Sequence, residues 1–126
     1  MICLLYTSVI GNAVSSASLP IVVVAFVVAA LVRISVGSAT VAMTMAAGII
    51  AAMPEIATLS PLYLACVTAA VAGGATVCSH FNDSGFWLVK SLVGLDEKTT
   101  LKTWTVMETL VGGTGFVVAL IISFFA

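Results

Sequence analysis

The apolar positions of this chain gather into four long blocks separated by short polar stretches. The first runs from about Ala13 to Val32 and is dense in Val and Ala; the second runs from about Gly37 to Met53. The third begins at Pro61 and continues, with interruptions, to Leu95, and the fourth runs from Thr103 to Phe125. A helix needs about 20 apolar residues to cross a hydrocarbon core of about 30 Å, and each block meets or approaches that length. The pattern predicts an all-α, polytopic membrane bundle with short connections.

Two blocks do not read as plain spans. Only Arg33-Ile34-Ser35-Val36 separates the first from the second. The second has about 17 residues, or about 25 Å of helix, which is marginal for a full crossing. A re-entrant helical hairpin over residues 13–53 fits, since such backbone is tolerated at membrane depth where protein or a water-filled cavity satisfies it. Two tight full spans have the same lengths, so both arrangements stay open at this point.

The third block is too long. From Pro61 to Lys90 a continuous helix would extend about 45 Å. It contains Gly73-Gly74 and then Ser79-His80-Phe81-Asn82-Asp83-Ser84-Gly85, whose side chains compete for backbone hydrogen bonds. The economical reading is a broken helix: one half from Pro61 to about Val77, an unwound middle, and a second half from about Phe86 to Val93. Discontinuous helices commonly build substrate and ion sites in secondary transporters.

Composition narrows the choice. Of 126 residues, 62% are hydrophobic and 7% charged, and the mean hydropathy is +1.30. A soluble globule needs roughly 25% charged residues, and a disordered chain is poor in apolar ones. Four basic and five acidic residues leave a net charge of −1, so no basic patch for nucleic acid exists. Cys3, Cys66 and Cys78 show no CxxC spacing, which argues against a disulfide framework or a metal site. No cofactor motif is present. The first charged residue is Arg33, so no basic n-region of a signal peptide precedes it, and residues 1–10 read as an arbitrary start.

Lys90, Lys98 and Lys102 cluster about one loop, 91–102, which the positive-inside rule assigns to the cytoplasm. Trp87 and Trp104 flank that loop as an interfacial belt, Tyr63 marks the opposite interface, and the last helix then runs outward, placing the C-terminus in the periplasm.

Few residues can carry chemistry. Arg33 stands alone in a long uncharged stretch, and an intramembrane charge marks function unless it snorkels to the interface. As a functional group it supplies a counter-charge for an anion, binding carboxylate bidentately. Gly37-Ser38-Ala39-Thr40 opens the second block, where Ser38 and Thr40 either cap free N–H groups or, with Gly37, form an anion site at the positive helix end. His80, Asn82, Asp83 and Ser84 fall mid-block: either a self-satisfied polar loop, or Asn82 and Ser84 binding substrate hydroxyls with Asp83 and His80 exchanging a proton. Glu108 either snorkels back to the lysine loop or faces the cavity as a third proton-coupling group, and Glu55 reads as interfacial. Gly112-Gly113-Thr114-Gly115 lacks the context of a phosphate loop and reads as helix packing.

Three stretches resemble one family: Gly37-Ser38-Ala39-Thr40-Val41-Ala42 after Arg33, Ser79-His80-Phe81-Asn82-Asp83-Ser84-Gly85-Phe86-Trp87-Leu88-Val89-Lys90, and Lys102-Thr103-Trp104-Thr105-Val106-Met107-Glu108-Thr109. They are similar to the C-terminal region of the gluconate permease (gluconate:proton symporter) family over residues 11–126. The resemblance implies a bacterial inner-membrane protein that takes up gluconate or a related sugar acid with protons, and a repeat forming half of an inverted-repeat transporter. It implies as partners a sugar-acid anion, a proton, the lipid bilayer and the N-terminal half of such a permease. One half alone is expected not to transport. Two alternatives remain at this point: a non-transporting membrane subunit, and a membrane-embedded enzyme using His80 and Asp83 as acid and base.

Overall fold

A computed structural model describes residues 19–126; the part of the first block before residue 19 lies outside them. Helix α1, Ile21–Val36, follows Pro20 and continues past Val32 through Arg33. It stops where Gly37 adopts φ 77°, its N–H closing back on the Arg33 carbonyl at 2.8 Å. Glycine enters this left-handed conformation without the steric cost a Cβ would bring. Ser38 then caps helix α2, Ala39–Ala51. Helix α2 folds back along α1, so that Met45 and Ile49 meet Val28, Leu31 and Val32 across a shared apolar groove. The two helices form a helical hairpin, 16 and 13 residues long among the described residues.

A 3-10 turn, Pro54–Thr58, leads to helix α3, Pro61–Thr76, which Ser60 caps and Pro61 opens. Helix α4, Ser84–Val93, is its broken continuation, capped by Asp83 and closed by Gly94 at φ 71°. The break therefore falls within a residue or two of its predicted limits, Val77 and Phe86. The final helix corrects its prediction. It starts at Glu97 rather than Thr103, because Asp96 caps it by accepting the Thr99 N–H. Hydrogen bonding to Thr99 holds the Asp96 carboxyl below the ordinary range. The connection expected over 91–102 accordingly shrinks to Gly94-Leu95-Asp96, and Lys98 and Lys102 ride on helix.

This helix, α5, extends over Glu97–Ser123, 27 residues, and its most apolar 18-residue stretch has a mean hydropathy of 1.8. It is the one helix among the described residues long and apolar enough to cross a membrane. Residues Leu101–Thr105 form a π-turn within it.

Helix α3 packs between α1 and α5, and small residues make this possible. A Cβ on Gly74 would lie 2.3 Å from the Phe26 carbonyl oxygen of α1, and one on Gly73 would lie 2.7 Å from the Gly112 oxygen of α5. Backbones thus meet directly, the usual device of helix association in lipid. Of the Gly112–Gly115 stretch only Gly112 packs this way; Gly113 and Gly115 face open space. Val22, Ala25, Ala29, Ala42, Ala46, Ala70 and Ala75 fill the dry interior. Val106, Leu110, Val111, Val117, Val118 and Ile121 leave an exposed apolar face on α5.

Candidate functional site

The α1–α2 turn and the α3–α4 break lie against each other. A Cβ on Gly37 would sit 2.2 Å from the Asn82 carbonyl oxygen, so only glycine admits this approach. Asn82 Nδ2 donates to the Ile34 carbonyl at 2.9 Å.

Arg33 binds the two together. It is 3% exposed, so it does not snorkel. Nη1 donates to the Gly37 carbonyl at 2.6 Å, and Nη2 donates to Asp83 Oδ2 at 2.5 Å. Its Nε–H is buried with no partner among the described residues. An unpaired buried donor costs about 1–3 kcal/mol, which makes it the most conspicuous polar defect of this region.

Asp83 works with both oxygens. Oδ1 accepts the Gly85 N–H at 3.0 Å and caps α4, while Oδ2 takes the guanidinium and the Ser79 hydroxyl. Ser79, 1% exposed, in turn accepts the Trp104 indole N–H at 2.9 Å. Thr105 Oγ1 donates to the Ser79 carbonyl, and Thr109 Oγ1 accepts the Cys78 N–H at 3.1 Å. Helix α5 thereby holds the unwound strand, including Cys78 at φ 55°, through side chains in and just beyond the π-turn. π-turns inside α-helices are frequent at functional sites because they re-aim side chains.

The remaining residues singled out in the sequence are placed as follows. Ser38 accepts the Val41 N–H at 3.4 Å, a long cap, and Thr40 is exposed on α2. His80 is half-buried, its Nδ1–H donating to the Cys78 carbonyl at 2.7 Å, which turns that nitrogen onto its own strand. Ser84 is exposed in the first turn of α4. Glu108 is half-buried on α5 within electrostatic range of both Arg33 and Asp83. Arg33, Gly37, Asn82, Asp83 and His80 are therefore brought together around the two interruptions, with Ser38 and Ser84 at the adjoining helix starts. Sequence reasoning missed Ser79, Thr105 and Thr109, and read Trp104 as part of an interfacial belt; its indole N–H is bound inside the protein instead. The i, i+4 pair of Thr105 and Thr109 on an apolar helix was the available signal. No group of three or more metal-binding side chains occurs among the described residues.

The described residues thus hold a buried ion pair at the contact of two helix interruptions, within an all-α apolar bundle that includes one helix of membrane-crossing length. The chain belongs to the GntP permease family, whose description, GntP family permease, fits it over residues 5–125. It is 45% identical over 112 residues to the low-affinity gluconate transporter of Escherichia coli (strain K12), covering 89% of this chain and 25% of that protein. It is 40% identical over 104 residues to the gluconate permease of Bacillus licheniformis, covering 82% of this chain and 22% of the relative. The Gnt-II system L-idonate transporter of Escherichia coli (strain K12) is 38% identical over 114 residues, 90% of this chain and 25% of that one. The chain thus spans about a quarter of the length of these curated relatives. No solved structure matches it.

Proposed function

We propose that this chain acts as part of a secondary transporter that takes up gluconate or a related sugar acid together with protons across a bacterial inner membrane. The observation that carries the reading is the buried Arg33, placed between two helix starts in a permease-family chain with one N–H unpaired among the described residues. A guanidinium at such a place recognises a carboxylate through parallel N–H bonds. The starts of α2 at Gly37, Ser38 and Thr40 add backbone N–H groups and a positive helix end. Asn82 and Ser84 serve the hydroxyls of the sugar chain, and Asp83, His80 and Glu108 are the groups available to carry a proton. The names of the relatives support the substrate class, since they refer to gluconate and L-idonate.

In this reading the chain is one repeat of an inverted-repeat, multi-pass transporter, with α1–α2 as a re-entrant hairpin and α3–α4 as a broken span. The Lys90, Lys98 and Lys102 side faces the cytoplasm and the C-terminus faces the periplasm. Movement of this repeat against a scaffold supplied by the rest of the permease gives alternating access. The test is uptake of radiolabelled gluconate and idonate by a full-length permease carrying this segment. Arg33→Ala is expected to abolish it, whereas uptake at unchanged substrate affinity removes the arginine from the site.

A further inference from the structure

Arg33 and Asp83 are buried to nearly the same degree, with side chains 4% and 9% exposed, and their opposite charges cancel. Their partners are unequal. Asp83 also holds Ser79 and the Gly85 N–H, whereas among the described residues Arg33 has only the Gly37 carbonyl besides Asp83, and its Nε–H has no partner there. A carboxylate gripping Nε and Nη2 side by side would satisfy that orphan, and Nη2 is the atom Asp83 now occupies.

Resting on the sugar-acid reading above, we infer that Asp83 and the substrate carboxylate are alternative occupants of Arg33, exchanged by a single proton. A proton from the aqueous side adds to Asp83 Oδ2, the ion pair opens, and the freed Nη2 and Nε take the carboxylate of a monovalent anion. Arg33 remains protonated throughout. The empty site carries +1 and −1; the loaded site carries Arg33 at +1, the anion at −1 and a neutral Asp83. Both states are neutral. A proton alone leaves +1 and an anion alone leaves −1, each a buried charge without a partner, which is the costly arrangement. Only the empty and fully loaded states are therefore suited to crossing the bilayer, and one proton accompanies one anion.

The local structure tolerates this exchange. Oδ1 keeps the Gly85 N–H, so α4 stays capped when Oδ2 is protonated. Ser79 Oγ now donates to Oδ2; it can accept from the protonated oxygen while still accepting the Trp104 N–H. The other titratable groups facing Asp83 are His80, whose Nδ1–H is held by the Cys78 carbonyl, and Glu108 from α5. Helix α2 contributes none.

The experiment uses a full-length permease carrying this segment, reconstituted in vesicles with labelled gluconate and the membrane potential clamped by potassium and valinomycin. A pH gradient is expected to drive uptake, and an imposed potential is expected to leave it unchanged. Asp83→Asn, which imitates the protonated carboxyl and keeps the cap acceptor, is expected to cut pH-driven accumulation about tenfold or more. Exchange of internal for external gluconate is expected to continue. Accumulation retained by Asp83→Asn overturns the inference, whatever Glu108→Gln does, and so does uptake driven by the potential alone. If Asp83→Asn fails to reach the membrane, the potential measurement on the unaltered protein decides. A permease that moves no sugar acid overturns the transport reading together with the inference, whereas one that moves it with net charge overturns the inference and leaves that reading standing.

Discussion

The two interruptions that meet at Arg33 are built in different ways. The α1–α2 turn is thin: Gly37 and Ser38 make the whole of it, the Ile34 carbonyl just before it accepts Asn82 of the break, and the Gly37 carbonyl accepts Arg33 Nη1 on its own side. The α3–α4 break spans Val77–Asp83 and is fastened on its far side by Trp104, Thr105 and Thr109 of α5. Between the turn and the break, the described side-chain links are Arg33 to Asp83 and Asn82 to Ile34. In the proposed exchange the α5 attachments and the Asn82–Ile34 bond stay in place, and only the Arg33–Asp83 link is released. A polar centre in an apolar bundle stays specific when one partner is fixed and the other is replaceable.

Substitutions can break this contrast or sharpen it. The largest effect is expected from Arg33→Ala, which strands Asp83 in a buried site without its counter-charge and costs about 3–5 kcal/mol. Thermal unfolding of the full-length permease in detergent measures it, and Arg33→Ala with Asp83→Asn should recover much of the loss. Next comes Gly37→Ala. Its Cβ would meet the Asn82 backbone at 2.2 Å in a left-handed conformation, a cost of roughly 2–4 kcal/mol that separates turn from break. A smaller effect is expected from Trp104→Phe, which removes one donor to Ser79 and costs about 1 kcal/mol. Because it loosens the fixed side only, it should also change Trp fluorescence and leave Arg33 paired. The smallest is Ser38→Ala, about 0.5 kcal/mol, since a 3.4 Å cap is already weak. A Ser38 effect larger than that of Trp104 would reverse the assignment of fixed and replaceable sides.

Much of this arrangement is legible in the residues before any fold is known. Pro61 locates the start of α3 and the polar run 79–85 locates the break, because both act locally, through a missing N–H and through side chains that compete for backbone. The turn was expected at Arg33–Val36, but those residues form the last turn of α1, and the chain reverses only at Gly37, where the left-handed backbone favours glycine. The helix start at Glu97 was hidden because charged residues read as loop until Asp96 is seen to cap them. The Arg33–Asp83 pair joins positions 50 apart, and no local pattern encodes which carboxylate an isolated arginine meets. Trp104 illustrates the same limit. An indole beside a lysine-bearing segment suits a headgroup boundary, and only packing against α3–α4 shows its N–H committed to Ser79.

The π-turn in α5 has a consequence for the gene as well as for the helix. A π-turn holds one residue more than the α-turn it replaces, so α5 is in effect an ordinary helix with a single amino acid inserted between Leu101 and Thr105. Deleting one codon there would leave a uniform helix one residue shorter and of nearly the same oiliness. Because the wider turn already takes up the extra residue, the Lys98 end would keep nearly its present face relative to Thr109, and what would be lost is the local aim of Trp104 and Thr105 at Ser79.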